Sequence, residues 1–453
     1  MIVGLTKNQQ IPTAKMNRNS GRAIRERIPF SAQSVFHPVD RDPVAIIESQ
    51  NYFRIPELIP LRHQKMTASP FAFFRGTALL MANDLSHQAQ SGIHVTICGD
   101  AHIGNFGFYA SPERRLIFDL NDFDEAAPGP WEWDLKRLIT SVILCAHDLG
   151  FDNKKIREVI LQTAAFYRKG LDLMSDMTSL ERYFILGDEE LFLKSFSDSS
   201  REEFEKIIKK AKKRTSNQVI SKMTETDQFG RRVFIESPPI TTHLDPKLID
   251  EVEQYFRQYL KTVRPDIEML LSQHVLTDIA QRVVGVGSIG TRCYLLVLTC
   301  EDASHLVLQI KQANESAITQ YNQKNFTTPD TLSHGLGNGY RVVSHQQILQ
   351  AASDPFLGYF SASEGMDFYV RQFRDMKGTV DLSELDFEAF KQYVINCGLS
   401  LARAHVQSPY ANWINGYLGT DDGFDHAVLD WCLAYSEQVY RDYEIYKQSL
   451  ASN

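Results

Sequence analysis

Apolar positions along this chain follow two different periods, and the places where the period changes divide it into segments. From Ser69-Pro70 onward, Phe73, Phe74, Ala78, Leu79, Met81 and Leu85 recur at helical spacing, which predicts a helix with one buried face. A strand over Ile93 to Ile97, a polar loop at 99–107, a strand over Arg115 to Leu120 and a second polar loop at Asp122 follow. Helical periodicity then runs from about 134 to 271. Between about 275 and 375 it gives way to alternating β-branched and aromatic residues, at Thr291 to Leu298, Leu306 to Lys311, Tyr340 to Val343 and Phe368 to Phe373, which predicts a small sheet. After Asp381 the stripe Phe387, Phe390, Tyr393, Val394, Cys397, Leu401 and Ala404 predicts a long helix, and an aromatic-rich helix covers about 425 to 447. Residues 1 to about 60, rich in Arg, Asn, Pro and Gln, have weak periodicity and read as an extended or loosely packed arm.

Composition narrows what these elements can serve. A chain of 453 residues that is 43% hydrophobic can bury a large core divided between lobes. Its formal net charge of −8 argues against a partner bound through a nucleic-acid backbone. The six cysteines form no CxxC pair, so neither a zinc knuckle nor a redox motif is indicated, and a reducing cytoplasm fits. The apolar run Met1 to Leu5 is too short for a signal peptide and no stretch approaches a membrane span, so no membrane partner is expected. The basic run Lys206 to Arg214 does not alter this. Glu202 precedes Lys206 and Glu205 precedes Lys209 at i,i+4 spacing, the pattern of a solvated helix.

Two stretches carry chemistry. In Gly99-Asp100-Ala101-His102-Ile103-Gly104-Asn105, Asp100 is placed to orient or deprotonate an acceptor hydroxyl and Asn105 to hold a metal ion. Asp122, after the next strand, is placed to take Mg²⁺ bridging nucleotide phosphates, with Asp124 and Glu125 beside it as further carboxylates. His102 reads either as a hydrogen-bond brace for the loop or as a participant in chemistry. The second stretch is Gly285-Val286-Gly287-Ser288-Ile289-Gly290. A dinucleotide-binding fingerprint requires a helix after such glycines, but Thr291 to Leu298 is strand-like and Cys300 to His305 reads as a hairpin turn. Strand, glycine loop, strand, turn and a strand ending in Lys311 is instead the kinase arrangement, in which the loop covers ATP phosphates and the lysine contacts them. Gly285, Gly287, Ser288, Gly290 and Lys311 are therefore the candidate nucleotide-binding residues. Glu315 is the candidate ion-pair partner of Lys311, or else a solvated residue on the next helix. Asp134, near a helix start, reads as scaffolding.

The pattern Gly99-Asp100-x-His102-x-x-Asn105, with Asp122 to Ala126 and Asp134-Leu135, resembles that of aminoglycoside phosphotransferases and related small-molecule kinases. The family usually has His before Gly-Asp, where this chain has Cys98. More of the chain, from about 60 to 440, resembles the bacterial family designated domain of unknown function 2252. The signatures are Ser69 to Gly76, Gly99 to Gly107, Asn121 to Leu138, Gly285 to Gly290 and Tyr369 to Lys377. That family name carries no activity.

The order of the motifs is inverted, because kinases present the glycine loop and lysine before the catalytic loop. In phosphotransferases a helix ending in a Leu-Ala-x-x-His-like signature runs into the catalytic loop, and here Leu401-Ala402-Arg403-Ala404-His405 lies near the C-terminal end. The resemblance thus implies an α+β, two-lobed protein-kinase-like fold in circularly permuted order. Residues 1–60 would be an N-terminal extension, and 61–270 the helical part with the catalytic and metal loops. Residues 271–380 would form the small antiparallel β lobe, and 381–453 the helical segment completing the larger lobe. Asp100 should then face Lys311 across one cleft. Too few residues separate Asp124 from Asp134 for a protein-kinase activation segment, which favours a small-molecule acceptor. Arg75, Arg137, Arg371 and Arg374 could bind anionic groups or serve in structural ion pairs.

The first expectation is an ATP- and Mg²⁺-dependent phosphotransferase acting on a small-molecule hydroxyl. Its Asp100, Asn105 and His102 would be catalytic, and its Asn105, Asp122 and Asp124 would hold metal. The alternatives are a kinase-fold nucleotidyl (AMP) transferase, and a non-catalytic nucleotide-binding scaffold acting through a protein partner.

Overall fold

The computed structural model describes residues 12–244, 249–283, 287, 289–322 and 336–451. It is an α+β protein with antiparallel sheets. Four long helices, Trp131–Asp148, Asn153–Ser175, Phe387–His405 and Gly423–Ala451, form one helical body. Their apolar faces meet in a continuous core that includes Leu138, Val142, Ile160, Tyr167, Phe390, Val394, Leu401, Trp431 and Tyr435. The predicted stripe is buried from Phe390 to Ala404, with Phe387 half-buried at its start.

Short strands β1 (His94–Ile97), β2 (Phe106–Ala110), β3 (Leu116–Leu120) and β4 (Ala127–Pro130) sit on this body. β1 pairs with β4 and β2 with β3, both antiparallel. The two polar loops lie between these strands, so strands buried along their length fix where the loops emerge.

A hairpin of β5 (Thr224–Thr226) and β6 (Arg232–Phe234) precedes the larger sheet. That sheet contains β7 (Thr241–His243), β8 (His274–Arg282), β9 (Cys293–Cys300), β10 (His305–Ala313), β11 (Gly358–Ser361) and β12 (Asp367–Gln372). It has six strands in the order β11-β12-β10-β9-β8-β7. A final short strand, β13 (Gly378–Thr379), returns to pair with β2. β9 reads Leu295-Leu296-Val297-Leu298 because both faces of the sheet are covered. Leu296 and Leu298 face a core with Tyr259, Ile267 and Phe360, whereas Leu295 and Val297 face Val219, Ile220 and Phe234.

Several expectations are corrected. Residues 12–60 form helices rather than an extended arm: Arg41 bridges the buried carboxylates of Asp84 and Asp442 at 2.7 Å, and Lys136 donates to Gln33 Oε1 at 3.0 Å. Polar anchoring of this kind leaves little apolar periodicity to read. The helix expected after Ser69 is broken at Gly76-Thr77 into Pro70–Arg75 and Ala78–Ser86. Tyr340 to Val343 is not a strand but part of helix Gly337–Leu349, whose Gly339, Val342, Val343, Gln346 and Leu349 are buried at helical spacing. Packing of that face on β11 and β12 overrides the β-branched pair. Within the stretch read as helical, β5, β6 and β7 interrupt the helices. Most of the basic run lies, as expected, in the helix Asp198–Lys212, where Lys206 is 3.4 Å from Glu202 at an exposed surface, but Glu205 pairs with Arg201 at 3.3 Å rather than with Lys209.

Candidate active site

The loop after β1 is built around Gly99. Its φ of +76° and the Glu125 carbonyl, which a Cβ would strike, leave room only for glycine. Asp134, fully buried at the start of helix Trp131–Asp148, accepts the Cys98 and Gly99 backbone N–H groups at 2.7 and 2.8 Å. His405 Nε2 approaches the same carboxylate at 3.3 Å, and Tyr167 shares a hydrogen bond with His405 Nδ1 at 2.7 Å. The C-terminal end of Phe387–His405 is therefore fastened to the start of the loop.

Within the loop, Arg137 donates through Nε to Asp100 Oδ1 at 2.9 Å and also places Nη2 2.8 Å from it. Burial pushes the Asp100 carboxyl up to about 6, although Arg137 opposes the shift. Asn105 Nδ2 donates to the Asp100 carbonyl at 2.7 Å, which commits the amide nitrogen and leaves Oδ1 to face other groups. His102 Nδ1 accepts from Gly104 N–H at 3.1 Å, and its Nε2 stands 3.9 Å from Asp100 Oδ2. Burial, with Arg75 and Arg137 nearby, holds His102 well below its ordinary range, so the ring is neutral. The loop-bracing role of His102 is thus visible in its contacts.

Lys311, on β10, is 2% exposed and reaches Asp124 Oδ2 at 2.5 Å and Asp122 Oδ1 at 3.8 Å. Tyr369, opposite it on β12, donates to Asp124 Oδ1 at 2.7 Å. Burial works against both charges. Asp122 and Asp124 nevertheless hold Lys311 well above its ordinary value, and Lys311 with Tyr369 holds Asp124 below its own. The expected pairing with Glu315 is not what forms: Glu315 is exposed at the cavity rim, and the nearer carboxylates outcompete it. Asp124, expected as a metal ligand, has both oxygens engaged by Lys311 and Tyr369. Asp122 differs, since its Oδ1 is buried without a hydrogen-bond partner among the described residues.

These groups border one cavity of about 700 Å³, lined among others by Asp100, His102, Asn105, Asp122, Asp124 and Glu125. Gly287 and Arg75 line it from other segments. Asp100 and the carboxylates that hold Lys311 thus share one cleft. Gly285 and Ser288 lie outside the described residues. Gly287, Ile289 and Gly290 are tied down by the 54–55 segment: Arg54 donates to the Ile289 carbonyl and, at 3.0 Å, to that of Gly287, while Ile55 N–H donates to Gly290 O at 2.8 Å. Arg75 Nε is buried and unpartnered among the described residues.

Two contributors, Arg54 and Arg341, escaped the sequence reading, and a third, Glu125, was read only as a further carboxylate beside Asp122. Arg54 sits in a segment without periodic signal. Arg341 joins the Asp122 loop to the end of β10, donating to Ala126 O at 2.7 Å, Asp124 O at 2.9 Å and Asn314 O at 2.7 Å. Glu125 accepts Ala317 N–H at 2.5 Å, and burial pushes its carboxyl up to about 7.

Among the described residues no group of three or more His, Cys, Asp or Glu side chains is arranged to hold a metal ion. The donor set fits a cation that draws part of its shell from a ligand. The Asp122 oxygen that accepts no hydrogen bond and the Asn105 amide are hard oxygen donors, and Mg²⁺ characteristically takes one or two carboxylates plus phosphate oxygens.

No helix among the described residues is long and apolar enough to cross a membrane. No curated protein and no solved structure matches the chain significantly. A family profile described as an uncharacterized protein conserved in bacteria, DUF2252, matches residues 54–449, which include Asp100, Asp122, Lys311 and His405, and the chain belongs to that family.

Proposed function

We propose that this protein is an ATP- and Mg²⁺-dependent phosphotransferase that acts on a hydroxyl of a small molecule, built on a circularly permuted kinase-like fold. The carrying observation is the convergence of Asp100, Asn105, Asp122, Gly287 and Asp124, the last paired with the buried Lys311, on one cavity from distant parts of the chain. Permutation is supported by the contact of His405 with Asp134, which caps the Gly99 loop.

Asn105 and Asp122 would hold Mg²⁺, which when bound neutralises phosphate charge. Lys311, aimed by Asp124 and Tyr369, supplies a fixed cation to the phosphates. Asp100 takes the acceptor's hydroxyl proton; Arg137 fixes one of its oxygens and so orients the carboxylate. Cys98 in place of the usual histidine is tolerated because Asp134 and His405 brace this loop from beneath.

A specific observation favours nucleotidyl transfer as the second reading. Leu295, Val297 and Val307 lie on the Lys311 face of the sheet, and Val219, Ile220, Phe234 and Phe373 pack against them. A nucleotide base in the usual kinase orientation would need that space. The cavity opens instead toward Asn314, Asn338 and Asp367, which suits a reversed nucleotide.

Calorimetry with Mg-ATP should show binding that Asp122→Asn removes, and failure to bind any nucleotide would overturn both readings. Across an acceptor panel, the mass added to the product separates phosphate from AMP transfer. Asp100→Asn should retain nucleotide but lose roughly 10²- to 10⁴-fold in turnover, the usual contribution of a general base. Binding without turnover on every acceptor would identify a scaffold instead.

A further inference from the structure

A second cavity, of about 250 Å³, shares a wall with the first: Asn121 lines it, whereas the neighbouring Asp122 lines the larger one. Among the described residues four cations border it, Arg114, Arg371, Arg374 and Lys377, with two carboxylates, Asp354 and Asp375. Both carboxylates are already committed. Asp375 pairs with Arg114 at 2.5 Å, and Asp354 accepts the backbone N–H groups of Phe356 and Gln372 at 2.8 and 2.6 Å.

None of the other three cations forms an ion pair with a carboxylate among the described residues, although, against burial, Tyr369, Asp122 and Asp124 hold Arg371 above its ordinary value. Arg371 donates to uncharged acceptors, Gln309 Oε1 at 2.9 Å and the Asn121 carbonyl at 3.4 Å. Arg374 lies over the Phe373 ring at 5.1 Å, with Arg282 and Arg214 among its charged neighbours. Lys377 is pushed down to about 7 by burial and by Arg371, with Lys311 and Arg374 adding to the effect and Asp122 opposing it.

The backbone holds these cations together at a conformational cost. Arg374 and Met376 both adopt left-handed φ, 55° and 49°, which L side chains rarely do. The turn is pinned there by Ala110 N–H on the Asp375 carbonyl at 3.2 Å and Met376 N–H on the Arg214 carbonyl at 2.7 Å. Like charges gathered at the wall of a cavity repel one another unless an anion offsets them.

We propose that this cavity binds a phosphate dianion, free or as the monoester of a small metabolite, through Arg371, Arg374 and Lys377. Guanidinium and ammonium donors together suit a phosphate's several oxygens. The volume admits phosphate with a few attached carbons, below the range of about 300–1,000 Å³ typical of larger ligands. The site is separate from the nucleotide reading and stands without it.

Calorimetric titration of the full-length protein without nucleotide, using inorganic phosphate and separately glycerol 3-phosphate, tests the proposal. Saturable binding of at least one is expected. Lys377→Met and Arg374→Gln should each weaken it by about tenfold or more, the scale of one lost charge-assisted contact. Arg374 is exposed, so its variant should unfold at the wild-type midpoint and isolate binding from folding. Equal affinity for both probes identifies the free dianion, and tighter glycerol 3-phosphate binding identifies a monoester. No saturable binding of either probe, or binding that survives both substitutions, overturns the proposal.

Discussion

Replacing Asp134 by Asn tests how the candidate catalytic loop is held, without requiring knowledge of the acceptor. The carboxylate is completely buried; it accepts Cys98 and Gly99 N–H at 2.7 and 2.8 Å and meets His405 Nε2 at 3.3 Å. Asparagine keeps one acceptor and turns an N–H₂ group toward a backbone donor. The loss is one charge-assisted hydrogen bond, about 1.5–3 kcal/mol, plus one buried donor left unpaired, about 1–3 kcal/mol. A total of about 2.5–6 kcal/mol is a large share of the roughly 5–15 kcal/mol that stabilises a folded domain. Much of it should appear as local opening. At about 1.4 kcal/mol per decade, amide exchange of Cys98 and Gly99 should accelerate by roughly 10²- to 10³-fold or more. Hydrogen-exchange mass spectrometry of peptides spanning 94–105 reads this directly. Exchange unchanged within about threefold would show that Asp134 does not hold the loop and does not tie His405 to Gly99.

Three further outcomes follow from the same geometry. Gly99→Ala should destabilise the protein by about 2 kcal/mol or more, because φ is +76° and the new Cβ would sit 2.7 Å from Ile318 Cγ1; a wild-type unfolding midpoint would contradict this. Once an acceptor is known, turnover should rise with pH through about 6, where Asp100 loses its proton, and fall about tenfold per unit below it. A profile lacking that limb would remove Asp100 from the role of base. Lys311→Met leaves Asp124 without its cation and should cost about 3 kcal/mol, the low end for breaking a buried pair because Asp124 is 29% exposed. Adding Asp124→Asn should recover stability in denaturant titrations but not Mg-ATP affinity, and recovery of both would make the pair purely structural.

The sequence by itself determined the local chemistry and most of the local structure. Glycines, Asp and Asn at fixed offsets specify turns and oxygen donors, and alternation specifies strands, so the Gly99 loop, the Asp122 loop, β9, β10 and Lys311 could be read directly. Those signals depend only on neighbours in the chain. Tertiary structure decided the partners. Lys311 takes Asp124 and Tyr369 rather than Glu315, because strand pairing brings Tyr369 opposite it and folding brings the Asp122 loop closer than any residue of its own strand. Helix Gly337–Leu349 formed over a β-branched pair because one face of it could be buried against the sheet. Arg54, Arg341 and the cations around Lys377 act across long separations in sequence, and a charged residue carries no periodic mark of the partner it will meet. Position along the chain thus fixed which groups were available, and burial fixed which of them had to meet, since a charge removed from water must find its counterpart in space.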